Sequence, residues 1–563
     1  MPRNIIIIGG VATGPKTAAR LRRLDHESEI TVIERQDLLS YAGCGMPYYI
    51  ENVIEEWNEL LGGASIRDAA YFKANRGFTV LDQTEVTMIN REAKTVTFED
   101  LRTGEVTDMP YDKLVLGTGA SPFVPRMEGV DLKGVHRLYN PHHAKAIRTE
   151  VDMGAKNVVV VGGGLIGIES CGAFVARGCS VSVIEMMPTL VPNLLDPEMA
   201  FLLENYLEGK GVNIVKGSPV ARMIDDGVGK VKAVETADGR VITADLVVVA
   251  IGVRPNTELA VKAGLETGPT RAITVNEHMQ TSDPDIYAGG DCVESTHLLT
   301  GEKVYAPLGS TANKHGRIIA DNIAGRGTTF KGINGTAVFK ILDWNCGTTG
   351  ITESKARELG HDVVTAIAPR SDYSGYIPGN KTTVIKLIAD RESCKVLGCQ
   401  VVGPGDGVKR IDVVATAMKF GSNLKNIADL DLGYAPAYST AIDAVAHAAN
   451  VMRNKVQGLA HGVNSVELKE RLDGDAEFVL LDVRRDEEYN RVHFKDFRGL
   501  HIPVVDLKER VAEIPKEKEV IIFCATSIRA YNAERTLRSL DYDNVKILDG
   551  SLAAWPFPGY LTS

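Results

Sequence analysis

Short, nearly continuous apolar runs dominate the first half of the chain. Residues 5–8, 30–33, 114–116, 158–161, 181–184 and 246–251 show no sustained alternation of polar and apolar positions. Runs of that length and character predict strands buried on both faces, as in a parallel sheet. Two of them lead into the same local grammar. Ile5–Ile8 is followed by Gly9-Gly10-Val11-Ala12-Thr13-Gly14, a helix from about Pro15, and a second run ending at Glu34. Val158–Val161 is followed by Gly162-Gly163-Gly164-Leu165-Ile166-Gly167, a helix to about Arg177, and a second run ending at Glu185. From about Phe330 to Met452 the pattern changes to strands and amphipathic helices without such loops. Residues 453–463 read as a short polar connector, and a compact unit of α/β character follows from 464 to 563.

A strand, a glycine-rich turn, a helix and a strand closed by an acidic residue form a dinucleotide-binding unit. The first glycine makes the turn, the second admits a pyrophosphate, and the third lets helix and strand pack. The helix N-terminus faces phosphate and the carboxylate accepts from ribose hydroxyls. One such loop is weak evidence, and two complete units are strong. The first unit has Val11 where the second glycine is expected. Further along, Thr281–Asp291 reads as a strand ending in Gly289-Gly290-Asp291. Its carboxylate suits a flavin ribityl hydroxyl, and capping of a following helix is compatible with that role.

At 563 residues the chain exceeds one core, and about 150 residues per domain implies three to four units. A formal charge of −10 argues against nucleic acid or an anionic membrane as partner. No apolar stretch approaches the roughly 20 residues of a membrane span, and the N-terminus lacks a signal peptide. Eight scattered cysteines, with no CxxC pair or metal spacing, fit a reduced cytoplasmic protein with one or two reactive thiols and no metal.

Together these motifs resemble the pyridine nucleotide-disulfide oxidoreductases, in the coenzyme A-disulfide and polysulfide reductase branch fused to a C-terminal rhodanese domain. The resemblance spans essentially the whole chain. It implies an α/β protein with two Rossmann-like nucleotide domains, an α+β dimerisation domain and an α/β rhodanese domain. The corresponding boundaries are 1–118 with 250–328 for FAD, 119–249 for NAD, 329–452 for dimerisation, 453–463 for the linker and 464–563 for the rhodanese unit. Val11 is usual in that branch. FAD contacts are implied for Gly9, Val11, Ala12, Gly14, Glu34, Arg35, Val86, Asp291 and Ala312, and NADH contacts for Gly162, Gly164, Gly167 and Glu185.

The segment Ser40-Tyr41-Ala42-Gly43-Cys44-Gly45-Met46-Pro47-Tyr48-Tyr49 resembles the branch's single-cysteine active site. With no second cysteine nearby, Cys44 must cycle through a mixed disulfide, a persulfide or a sulfenic acid. Peroxidases and oxidases of the superfamily have a histidine in the first glycine-rich loop, and this chain has Ala12 there. That chemistry is the runner-up reading, beside a redox-sensing or persulfide-delivery protein. Lys16, Arg20 and Arg23 recur on one helix face. With Ser40 and Arg76 they match positions that hold coenzyme A in the branch, and a solvated charged face is the plainer reading of the spacing alone. Gly43, Thr13 and Pro15 depart from the branch's residues. Tyr376 and Tyr434 match two tyrosines that reach across a homodimer to the leaving thiolate, and amphipathic interface tyrosines are the plainer reading.

In the last unit, Leu480-Leu481-Asp482-Val483-Arg484 and the loop Cys524-Ala525-Thr526-Ser527-Ile528-Arg529 resemble a rhodanese domain. A cysteine between a strand end and a helix start lies among backbone N–H groups that stabilise a persulfide anion. Ser527 stands where glycine is usual, so an inactive, regulatory domain stays open. The resemblance implies NADH-driven reduction of a small sulfur substrate at Cys44, with Cys524 and Arg529 handling sulfane sulfur.

Overall fold

The structure, a computed structural model, describes residues 2–496 and 498–562. These form two compact units, one of residues up to 184 with 219–333, the other of 185–218 with those from 334 on.

The first unit contains two parallel sheets. In the first sheet the strands run in the order Ile286–Ala288, Lys113–Leu116, Asn4–Ile8, Glu29–Ile33 and Thr79–Leu81. Ile5 to Ile8 are all buried, which explains the unbroken apolar run: both faces are covered. In the second, Ser180–Glu185, Asn157–Val161, Leu246–Val249 and Val135–Arg137 are successive neighbours. The chain leaves the first sheet through Ala120–Pro122 and returns through Val253–Pro255. These two segments pair antiparallel, so one double crossing connects the nucleotide modules.

Both glycine-rich loops owe their shape to the same close approach. A Cβ on Gly14 would stand 1.9 Å from the carbonyl oxygen of Gly9, and one on Gly167 would stand 1.9 Å from that of Gly162. Only glycine lets helices Thr13–Arg22 and Leu165–Ala176 begin so near the preceding strands.

In the second unit, an antiparallel sheet has the order Ala337–Ile341, Trp344–Gly350, Val396–Pro404, Thr382–Asp390, Val363–Ser371. Helices Arg410–Lys419, Leu424–Ala428 and Ala444–Val456 pack on it. Lys386, with no solvent exposure, is held there by Asp196 at 2.9 Å, Glu353 at 2.8 Å and Glu198. Beyond it lies a five-stranded parallel sheet, in the order Gly462–Val463, Val545–Leu548, Glu519–Phe523, Phe478–Asp482, Gly499–His501. The connector expected at 453–463 is shorter than its polar composition implied. Helix Ala444–Val456 covers its first residues and Gly462–Val463 already belongs to the last sheet. Lys455 makes the joint firm, donating to Thr365 O at 2.9 Å and to Asp549 at 2.5 Å.

Candidate functional site

Several residues expected to hold a flavin lie together in the first unit. The loop of Gly9–Gly14, the turn at Gly289–Asp291 and the start of helix Gly309–Ile323 meet around Thr13. Its hydroxyl donates to Ala312 O at 3.2 Å, and a Cβ on Gly290 would lie 2.4 Å from that hydroxyl. Gly10 N donates to one carboxylate oxygen of buried Glu34 at 2.6 Å, and Gln36 N donates to the other at 2.9 Å. Burial raises the pKa of Glu34, and those N–H groups pull it back. Arg35 is exposed, Val86 is half-buried beside a strand irregularity, and buried Ala312 lies in the first turn of its helix. Val11 packs with Leu38, Tyr41, Leu61 and Trp57 under the loop.

Asp291 gives the fit test for a flavin. Its pKa is raised to about 6 by burial alone, and no described residue donates a hydrogen bond to its carboxylate. A half-buried carboxylate without a donor matches a hydroxyl-bearing chain placed against it. The second loop offers Gly162, Gly164 and Gly167 at a helix start, with open space where a Cβ on Gly164 would stand. Glu185 ends its strand buried and accepts from Met187 N at 2.8 Å.

Cys44 lies in a single turn of 3₁₀ helix, Gly43–Gly45, which runs directly into helix Met46–Glu51. Its outer face is open to solvent. The sulfur nevertheless lies among enough protein atoms that desolvation, followed by the carboxylates of Glu169 and Asp291, raises the thiol pKa. Glu169, on helix Leu165–Ala176, is itself raised to about 7 by desolvation and also acts on Tyr48. Nothing in the local sequence marks Glu169, because its importance comes from packing between segments far apart in the chain. The loop is held by Ser40, in the left-handed region at φ 47°. Ser40 N donates to Gly10 O at 2.9 Å, and Ser40 O accepts from Arg67, which sequence reasoning did not single out.

The basic helix face is not uniform. Arg23 and Arg76 are exposed, Arg76 donating to the Tyr71 hydroxyl at 3.3 Å, while Lys16 lies half-buried with its stem against Gly316. Arg20 is committed to Asp321 at 2.8 Å, so the free cations of the face are fewer than its spacing implies.

In the second unit, Cys524 ends the strand Glu519–Phe523 and its loop opens helix Ile528–Arg538. Arg529 makes a bidentate ion pair with Glu488, at 2.6 and 2.8 Å, which holds the Glu488 carboxyl down at about 2. Ser527 occupies the left-handed region at φ 72°. Ser551, from the segment after Leu548, meets this loop and was not foreseen, because nothing near it in sequence signals chemistry. Tyr376 and Tyr434 are 73% and 51% exposed on the antiparallel-sheet domain.

Comparison with known proteins agrees with this layout. Residues 3–316 match the model of the pyridine nucleotide-disulphide oxidoreductases, 336–446 match their dimerisation domain, and 465–556 match the rhodanese-like domain. A solved structure of an NAD-dependent persulfide reductase from A. fulgidus is similar at TM-score 0.93 and 43% identity, covering 98% of this chain and 100% of that one. Reduced Bacillus anthracis CoADR-RHD is similar at TM-score 0.92 and 35% identity, with 100% of both chains covered. The NAD(P)H coenzyme A polysulfide/persulfide reductase of Pyrococcus horikoshii is 36% identical over 454 residues, 80% of this chain and 99% of that protein. A protein of Methanocaldococcus jannaschii named NADH oxidase is 37% identical over 445 residues, 79% of this chain and 97% of that one.

Proposed function

From its membership of the pyridine nucleotide-disulphide oxidoreductase family, we propose that this chain oxidises NADH to reduce coenzyme A disulfide, coenzyme A persulfide or polysulfide at Cys44, and handles sulfane sulfur at Cys524. One observation supports this reading above the others. Cys44 is solvent-accessible beside the donor-less carboxylate of Asp291, while Cys171, Cys179 and Cys292, the other cysteines of that unit, are buried. A lone accessible thiol at such a place forms bonds with substrate sulfur rather than with a second cysteine.

FAD would be held by Gly9, Val11, Ala12, Gly14, Glu34, Arg35, Val86, Asp291 and Ala312, and NADH by Gly162, Gly164, Gly167 and Glu185. When bound, the flavin supplies two-electron transfer between the nicotinamide and sulfur. The part of Cys44 is to give up its proton and attack a substrate sulfur as thiolate, forming a Cys44–S bond while the substrate S–S bond breaks and a thiolate leaves with its electron pair. Two electrons and a proton delivered to that bond restore the thiol and free the second sulfur as thiolate or sulfide. Glu169 and Asp291 disfavour a free thiolate at Cys44, so the residue rests as a thiol or bonded to sulfur. Lys16, Arg23 and Arg76 suit the phosphates of coenzyme A, with Ser40 and Arg20 shaping the groove. Tyr376 and Tyr434 suit donation to a leaving thiolate across a homodimer formed through the 329–452 domain. No helix among the described residues is long and apolar enough to cross a membrane. The described cysteines are all unpaired, and that thiol content suits a reducing, cytoplasmic setting. Ala12 offers no imidazole, and this favours the reductase over the oxidase reading.

Cys524→Ala tests the division of labour. NADH-dependent reduction of coenzyme A persulfide should survive, and sulfur transfer from thiosulfate to a thiol should disappear. Loss of both activities would show that the two cysteines act only together.

A further inference from the structure

Cys524 is 1% exposed, and the hydroxyl of Ser551 donates to its sulfur at 3.9 Å, beside the Arg529 guanidinium, which also interacts with that sulfur. The same hydroxyl oxygen accepts from Cys524 N at 3.1 Å, so Ser551 holds the residue by backbone and sulfur together. Ser551 has a competing acceptor, Leu548 O, at 3.5 Å. The Ser527 hydroxyl lies 3.2 Å from that carbonyl and 3.1 Å from the Ser551 oxygen. Donation from Ser527 to Leu548 O is the arrangement that directs the Ser551 proton at sulfur, and it is the one proposed below. Both serines sit in the left-handed region, at φ 72° and 50°, where a side chain is kept only if its contacts compensate.

We infer that Ser551 is the hydroxyl donor to the sulfur borne by Cys524, and that Ser527 is the positioning residue that aims it. The inference rests on the reading of Cys524 as a sulfane-sulfur carrier. In the step concerned, the Cys524 thiolate attacks the outer sulfur of thiosulfate. A Cys524–S bond forms, the S–S bond of thiosulfate breaks, and sulfite leaves with its electron pair. Charge is conserved, with a persulfide anion replacing the thiolate. Cyanide then removes the outer sulfur as thiocyanate and regenerates the thiolate. A hydroxyl directed at Cys524 stabilises the thiolate before attack and the persulfide anion after it. The charged groups facing the loop are Arg529, from helix Ile528–Arg538, and Glu488, from helix Asp486–Arg491. They pair with each other, Arg529 also acts on the Cys524 sulfur, and both are unchanged in the variants below, so a shift of the midpoint in those variants reports the serines.

The test compares the FAD-loaded full chain with Ser551→Gly, Ser527→Gly and Cys524→Ala, using thiosulfate and cyanide as probes. Glycine accepts a left-handed backbone freely, so neither serine variant loses the fold through strain. Ser551→Gly should lower kcat for thiocyanate formation about tenfold with KM for thiosulfate nearly unchanged, the loss of one hydrogen bond to a charged sulfur. It should also raise the pH midpoint of Cys524 alkylation, followed on its own peptide by mass spectrometry, and leave NADH turnover at Cys44 intact. Ser527→Gly should shift both readouts in the same sense by a smaller factor. A glycine variant as fast as wild type or faster, with an unmoved midpoint, overturns the inference and makes Ser527 a mere departure from glycine. Should wild type and Cys524→Ala transfer sulfur equally poorly, the carrier reading fails, and the alkylation midpoint alone still decides whether Ser551 donates to Cys524.

Discussion

Replacing Glu169 by Gln removes a negative charge from the neighbourhood of Cys44 while keeping its size. Because the carboxyl of Glu169 is raised to about 7, it is about one-tenth ionised at pH 6 and about nine-tenths at pH 8. Its field on Cys44 therefore switches on across neutral pH. Two unit charges about 6 Å apart at an effective dielectric constant of about 20 interact by about 3 kcal/mol, or about two pKa units. Glu169 and Cys44 both reach solvent, which screens the pair and brings the expected effect to about one unit. Glu169→Gln should then lower the pH midpoint of Cys44 alkylation by about one unit in FAD-loaded protein. Iodoacetamide labelling across pH 6–10, read on the Cys44 peptide, measures it. The labelling rate of the variant should exceed that of wild type above pH 7 and approach it below pH 6, where wild-type Glu169 is neutral. An unchanged midpoint, or one that rises, would refute the claim that Glu169 acts on the sulfur.

Glu185, proposed to face the ribose hydroxyls, would repel a 2′-phosphate, and Met186, Met187 and Pro188 supply no compensating cation. The ratio of kcat/KM for NADH over NADPH should exceed about tenfold, and a preference for NADPH would contradict the assignment. Lys386→Met should destabilise the second unit by about 3–5 kcal/mol at pH 8, because Asp196, Glu198 and Glu353 are left around an uncharged side chain. That loss is read as a lowered Tm of the variant. An equal Tm at pH 8 would show that the carboxylates relax into solvent.

Sequence pattern located the nucleotide loops well, because buried parallel strands and glycine close approaches depend on local residue type. Gly14 and Gly167, each facing a carbonyl oxygen at 1.9 Å, are legible for that reason. Cys44, proposed here as the redox cysteine, stands out in the sequence through its resemblance and its isolation. What stayed hidden depends on contacts between distant segments. Glu169 comes to Cys44 only through packing of the helix after the second loop, and Ser551 comes to Cys524 from beyond the next strand. Arg20 looked free for phosphate until Asp321, far along the chain, was seen to hold it. The short polar connector read at 453–463 is shorter still, because helix Ala444–Val456 continues into it and strand Gly462–Val463 ends it.

Steady NADH turnover by Cys44→Ser tests the central claim most directly. The residues proposed to hold the flavin, in the first glycine loop and at Glu34 and Asp291, are untouched, so the variant should remain yellow, folded and FAD-loaded. With coenzyme A persulfide or polysulfide as acceptor, wild type should oxidise NADH through many cycles and the variant should show none above background. Persistent turnover by Cys44→Ser, or wild type that stops after a few equivalents, would contradict reduction through a single cysteine at residue 44.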